Sequence, residues 1–230
     1  MPSRARAADL VRRGCVTVAG ALASKPGVMV PDDVAVALTA DASVHVSRGA
    51  LKLAAALDAF ELTAEGRVAL DVGASTGGFT EVLLEHGAAK VYAVDVGREQ
   101  LHARLRQDPR VICLEATDAR KIDENLVPEN VTAITADVSF ISLTKALPAA
   151  LARAGADAWL VVLVKPQFEA GREAVGKGGI VRDEADRLRA VARVREFLEG
   201  EGWEVLGVIP SPITGGSGNV EFLIGARHVA

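Results

Sequence analysis

From residue 68 onward, short apolar runs alternate with stretches whose apolar positions recur every third or fourth place. Short runs bounded by turn residues predict buried strands, and the longer period predicts helices packed against them. The strands expected are 68–72, 91–94, 111–114, 131–136 and 159–164, with helices over 78–86, 98–106 and 143–152. A long helix is expected from Asp183, a good N-cap, to Gly200. Two closing strands, 205–209 and 220–224, have only a loop between them and predict an antiparallel hairpin at one edge. Strands alternating with helices specify an α/β fold, a parallel sheet covered on both faces.

Upstream of residue 68 the pattern is different. Ser3 can cap a short helix to Arg13, with Ala7, Leu10 and Val11 as its apolar side and Gly14 as its stop. Val16–Val18 reads as a strand, Ala19-Gly20 as a hairpin turn and Ala21–Ser24 as the return. Lys25-Pro26-Gly27 is a further turn, and Val34–Leu38 a last alternating strand. After a stretch without strong pattern, Ser47 caps a helix in which Leu53, Leu57 and Phe60 form a stripe. These breaks predict a small N-terminal domain over 1–40, a linker over 41–46 and a main domain over 47–230.

Composition adds bounds to this picture. Half of the 230 residues are hydrophobic and 24% are charged, enough to bury a large core and to exclude global disorder. No apolar run approaches the ~18 residues of a membrane span, so no membrane partner is expected. The basic N-terminus lacks the apolar segment of a secretory signal. Cys15 and Cys113 share no metal-ligand spacing, which predicts no metal and a reducing, cytoplasmic setting. Net charge is −4, but residues 1–30 hold five basic residues against Asp9 alone, so the remainder carries −8. A basic arm on an acidic body predicts a phosphate-contacting module joined to a separate domain.

The candidate chemistry sits at the ends of the apolar runs. In VALDVGASTGGFT, Asp71 precedes a turn built from Gly73, Ser75, Gly77 and Gly78. Glycines allow sharp turns and close backbone approach to a ligand. The spacing is not the dinucleotide G-x-G-x-x-G and looks more like an S-adenosylmethionine-binding turn, with a purely structural strand-to-helix turn as the alternative. Asp95 ends the second run, where an open α/β sheet presents a carboxylate to a cofactor ribose. Asp118, past the third run, is placed to reach an adenine amino group. Asp137 ends the fourth run, Lys165 the fifth, and Glu221 lies early in the last. Convergence of several such groups on one sheet edge argues against isolated surface charges.

Two resemblances sharpen this reading. Residues 3–38, in the order helix, Gly, strand, Ala-Gly, strand, Lys-Pro-Gly, resemble the alpha-L RNA-binding motif. That motif normally has a preceding helix, so the expectation is either a truncated module or a misplaced start of the sequence. VSRGALKL, ALDVGASTGGFT, YAVDVG, QDPRV, ADVSFISL, LVKPQFEAGREAVGKGGIVRD and SPITGGSGNVEF, in this order, resemble the TlyA family. These are RNA 2′-O-methyltransferases with an FtsJ-type catalytic domain, historically also called hemolysins. The resemblance implies a class I S-adenosylmethionine-dependent methyltransferase fold and a Lys-Asp-Lys-Glu tetrad at Lys52, Asp137, Lys165 and Glu221. It implies S-adenosylmethionine held by Asp71, Gly73, Ser75, Gly77, Gly78, Asp95, Asp118 and Asp137. It implies ribosomal RNA or ribosomal subunits as partner, contacted through Arg4, Arg6, Arg12, Arg13, Lys25, Arg48, Arg172 and Lys177.

Chemistry supports such a tetrad. A methyl sulfonium is a strong electrophile, so the protein mainly aligns a ribose hydroxyl and accepts its proton. Lys165 is the expected acceptor, oriented by the acids, and the Gly-rich stretch 166–179 is long enough for a lid. Aromatic residues are only 4% of the chain, which favours phosphate contact and shape recognition over a broad stacking platform. Three other readings compete: a non-catalytic RNA-binding or assembly factor, a membrane-active hemolysin and a small-molecule methyltransferase.

Overall fold

The computed structural model describes residues 7–8, 10–11, 15–23, 25–38, 45–215 and 218–229. Arg4, Arg6, Arg12 and Arg13, and most of the expected linker, lie outside the described residues. The chain forms two compact units, Met1–Arg48 and Gly49–Ala230.

In the first unit, β1 (Val16–Val18) pairs antiparallel with β2 (Ala21–Leu22) and β3 (Val36–Leu38), in the order β2-β1-β3. Ala19 and Gly20 connect β1 to β2, both with positive φ (50° and 81°). That is what a two-residue hairpin needs to match the twist of its strands. Ala7, Ala8, Leu10 and Val11 are helical, and Leu10 is buried with Cys15 and Val16 in a small apolar cluster.

The second unit opens with helix α1 (Gly49–Ala59) and is built on a seven-stranded sheet. Its strands are β4 (Val68–Val72), β5 (Lys90–Val94), β6 (Val111–Leu114), β7 (Val131–Ala136), β8 (Ala154–Val164), β9 (Trp203–Pro210) and β10 (Phe222–His228). They lie in the order β6-β5-β4-β7-β8-β10-β9, the first five parallel and β10 antiparallel to both neighbours. The order reverses at β4, which places a ligand crevice beyond its carboxyl end. The hairpin expected at the edge exists, and β10 is inserted between β8 and β9. The long helix α7 (Glu184–Gly200) starts where expected, with the Asp183 carboxylate accepting from the Ala185 N–H at 2.8 Å.

Two helices depart from the sequence pattern. The expected helix 98–106 is only α3 (Ala103–Arg106). Glu115 explains the loss. Its carboxylate accepts the backbone N–H groups of Glu99, Gln100 and Leu101 at 2.7, 2.8 and 2.8 Å, and Glu99 has φ +54°. The left-handed Glu99 breaks helical geometry, and the three amides turned onto Glu115 hold the chain in that conformation. The expected helix 143–152 divides into α4 (Leu143–Ala146) and α5 (Pro148–Leu151), because Pro148 has no N–H to continue the first. A one-turn helix, α6 (Pro166–Glu169), follows β8.

Candidate active site

Strand register brings the candidate groups together. Val72 pairs with Val94 on one side and with Ala136 on the other. Gly73, Asp95 and Asp137 therefore leave three adjacent strands at one level. Across the sheet Phe222 opposes Val164, so Glu221, just before β10, stands opposite Lys165. Hydrogen bonds from Gly73 N–H to Val94 O (2.8 Å) and from Asp137 N–H to Val72 O (2.9 Å) extend the pairing into the turns.

Gly73 has φ +84°, and a Cβ there would stand 2.5 Å from the Asp137 carbonyl oxygen. The tight spot is set by the neighbouring strand end. Gly77 (φ +98°) was expected to permit approach to a ligand, but a Cβ there would meet Leu105 Cδ1 at 2.2 Å and Leu101 Cδ1 at 2.9 Å. Its role in this structure is packing against those leucines. Gly78 opens helix α2 (Gly78–Glu85) and is buried. Asp71 also departs from the expected cofactor contact. It is fully buried beneath the turn, accepting from Thr80 Oγ1 (2.6 Å) and Thr135 Oγ1 (3.0 Å), which tie β4 to α2 and to β7. Burial pushes its carboxyl up to about 6, against the pull of the two hydroxyls.

Above this floor lies a cleft of about 450 Å³, lined by Gly73, Ser75, Asp95, Asp118 and Asp137 together with Val96 and Phe140. Its size falls within the ~300–1,000 Å³ of small-molecule pockets. Asp95 accepts the N–H of Ser75 (2.8 Å) on one oxygen and of Gly97 (2.7 Å) on the other. Each oxygen keeps a second lone pair, so the carboxylate is held in place and still able to accept from a vicinal diol. This donor and acceptor set fits the ribose of a nucleoside cofactor. Asp118 caps a short 3₁₀ turn and pairs with Arg120, which holds its carboxyl down at about 2. Asp95→Ala is expected to weaken S-adenosylmethionine binding by about 1–3 kcal/mol in calorimetry, the cost of losing hydrogen bonds to a charged acceptor. Unchanged affinity would show that Asp95 does not hold the cofactor.

A second cleft, about 320 Å³, adjoins the first and shares Ser139 and Phe140 with it. Lys165 and Glu221 line it. Lys165 Nζ lies 2.6 Å from Asp137 Oδ1 and donates to Ser139 Oγ at 2.8 Å. Lys52, on α1, is buried and donates to Glu221 Oε2 at 2.6 Å. The four tetrad residues thus form two ion pairs, one across the strand ends of β7 and β8, the other between α1 and the start of β10. The Lys52–Glu221 pair is nearly dry, so loss of either partner leaves an uncompensated buried charge.

Some functional groups had no sequence signal. Phe140 is 92% exposed with φ +66°, a strained conformation for a bulky residue, and its ring lies 5.3 Å from that of Phe168. Composition argued against a broad aromatic platform, and this compact pair is what the fold supplies at the shared wall. Glu115 fixes the 99–101 loop beside the cofactor cleft, and those three N–H groups, Leu101 foremost, hold its carboxyl at about 2. Of the expected RNA contacts, Lys25, Arg172 and Lys177 are exposed and Arg48 is half-buried. Arg172 and Lys177 lie on the stretch beyond α6, near the second cleft. That stretch is more ordered than an open lid, with a 3₁₀ turn at Arg172–Ala174 and a bridge between Gly176 and Ile180.

The FtsJ-like methyltransferase family matches residues 45–228, which carry both clefts and all four tetrad residues. The chain belongs to this family. Within it, the chain is 48% identical over 226 residues to the 16S/23S rRNA (cytidine-2′-O)-methyltransferase TlyA of Mycobacterium tuberculosis, covering 98% of this chain and 84% of that one. It is 39% identical over 222 residues to Hemolysin A of Brachyspira hyodysenteriae, covering 96% and 92%. Among solved structures, a candidate hemolysin from Streptococcus thermophilus superposes with a TM-score of 0.82 at 41% identity, covering 100% of this chain and 84% of that one.

Proposed function

We propose that this chain transfers a methyl group from S-adenosylmethionine to the 2′-hydroxyl of a ribose in ribosomal RNA, as free RNA or within a ribosomal subunit. The observation that carries this reading is the Lys165–Asp137 pair at the wall shared by two clefts. S-adenosylmethionine would supply a strongly electrophilic methyl group, held by Asp95 with Gly73 and Ser75 beside it. In its neutral form the Lys165 amine would accept the hydroxyl proton as the ribose oxygen bonds to the methyl carbon and the methyl's C–S bond breaks, leaving S-adenosylhomocysteine. Asp137, 2.6 Å away, orients that amine. Ser139 holds the amine at the mouth of the first cleft, while the Lys52–Glu221 pair fixes the far wall of the second. The exposed face of Phe140 offers a stacking surface for the target base.

The basic arm supplies phosphate contact, and its arginines belong to this proposal by charge alone. The relatives' names favour ribosomal RNA, and the cytoplasm is the compartment in which such RNA is reached and thiols stay reduced. Among the described residues, no helix is long and apolar enough to cross a membrane. The test is transfer of labelled methyl from S-adenosylmethionine to ribosomal RNA, with the modified ribose mapped by its resistance to alkaline cleavage. Replacing Arg4, Arg6, Arg12 and Arg13 with Ala is expected to weaken RNA binding and to flatten its salt dependence by a slope of about 0.7 for each phosphate no longer neutralised. Label on a base, or no label on RNA, would overturn the reading.

A further inference from the structure

We propose that Glu169, one turn beyond Lys165, is a positioning residue for methyl transfer: it ties the loop carrying the amine to the loop carrying Asp137. The proposal rests on the reading of the site given above. The reacting pair bridges two loops, 137–142 after β7 and 165–170 after β8. Glu169 is 3% exposed on α6, and its carboxylate spans both segments. One oxygen accepts from Ser142 Oγ at 2.6 Å, the other from the Leu143 N–H at 2.7 Å. The Glu169 carbonyl accepts in turn from Arg193 Nη1 at 3.2 Å, fixing the tie to α7. Burial pushes the Glu169 carboxyl up, against the pull of Ser142 and Leu143.

The position of this tie is what gives it consequence. Among the described residues, the other hydrogen bonds and ion pairs between these two loops run through Lys165 itself, to Asp137 and to Ser139. Those interactions change whenever the amine changes its proton or engages a substrate hydroxyl. The Glu169 tie does not involve the amine, so it maintains the spacing of the two loops throughout turnover. It also fixes the segments that bear Phe140 and Phe168, whose rings meet in front of it. Misplacement of a reacting group by about 1 Å can cost on the order of 10²-fold in rate.

Glu169→Gln keeps the shape but removes the charge, so the amide NH2 must turn onto Ser142 Oγ while its oxygen stays on Leu143, and both short charge-assisted bonds weaken. Single-turnover transfer at saturating RNA and cofactor is expected to fall by about 10-fold or more, while S-adenosylmethionine affinity stays within about 2-fold, because Glu169 does not line the first cleft. Adding Ser142→Ala to Glu169→Gln is expected to cost little further rate, since both act on one link. Amide exchange is expected to quicken at Leu143 and stay unchanged in the 73–77 turn. A rate within about 2-fold of wild type would overturn the proposal, as would a rate, cofactor affinity and melting temperature that fall together, the mark of a purely structural role. The exchange measurement needs no activity. Unchanged exchange at Leu143 removes the tie itself, whereas quickened exchange in a chain that never methylates RNA removes the reading of the site and the positioning role with it.

Discussion

Lys165→Ala is expected to slow single-turnover methyl transfer by about 10²-fold or more, the usual contribution of a positioned acid–base group. The side chain lies 2.6 Å from Asp137 and 2.8 Å from Ser139 Oγ, where the two clefts meet. Its loss removes both the proton acceptor and the counter-charge to Asp137. Lys165→Arg should fail nearly as badly, since a guanidinium stays protonated and its planar fork does not reproduce a point contact. Asp137→Ala should also slow transfer, by releasing the amine from its partner. Saturating RNA and cofactor separate these effects from binding. Near-normal turnover by Lys165→Arg would leave the residue a charge-positioning role only, and wild-type rates in both alanine variants would remove the pair from the mechanism.

Gly73→Val is the second large effect. A β-branched residue at φ +84° is strained by itself, at a cost of about 1–2 kcal/mol for the left-handed region. The greater problem is the Asp137 carbonyl, 2.5 Å from where the Cβ would lie. Backbone cannot turn away as a side chain can, so the β4 and β7 ends must part. That displaces the floor of the cofactor cleft and Asp137 together. Cofactor binding is expected to become undetectable by calorimetry, with the rate lost as well. Gly66→Ala supplies the control. That glycine is also left-handed (φ +67°), but a Cβ there meets nothing within 4 Å. It should lower stability by about 1–2 kcal/mol and leave cofactor affinity alone. Equal loss of affinity in both variants would mean that strain, and not the strand-end collision, governs the turn.

The frame of this site was legible because Gly73, Asp95, Asp137 and Lys165 each follow an apolar run by one residue. Parallel strands ending at one level convert that linear spacing into a spatial cluster, and so Asp95, Asp137 and Lys165 stood out. Glu115 and Glu169 did not stand out, because each acts on backbone N–H groups 14 to 26 residues away in sequence, and a backbone donor leaves no side-chain pattern to read. The same cause hid the loss of helix over 98–102, a stretch whose turn is set by a carboxylate 14 to 16 residues away. Asp71 misled in the opposite direction. It has the residue type and spacing of a ligand contact, yet two threonine hydroxyls, one of them 64 residues away, claim both its oxygens in the interior. Phe140 is invisible to composition, since one exposed ring does not alter an average.

The placement of β10 between β8 and β9 has a consequence for how the molecule is made. β8 is complete at residue 164, but its outer edge has no partner until residues 222–228 have been synthesised. Until then the nascent chain carries an open apolar strand edge, the kind of surface that pairs with other chains. The closing strand must travel back across a sequence gap of more than 50 residues, a long-range pairing that slows folding. Glu221 arrives with it. Lys52, made early on α1, has no buried counter-charge from this pair before that moment, so formation of the second ion pair and closure of the sheet are one event. A shortened chain ending before β10 should therefore aggregate and not persist as a weakened enzyme.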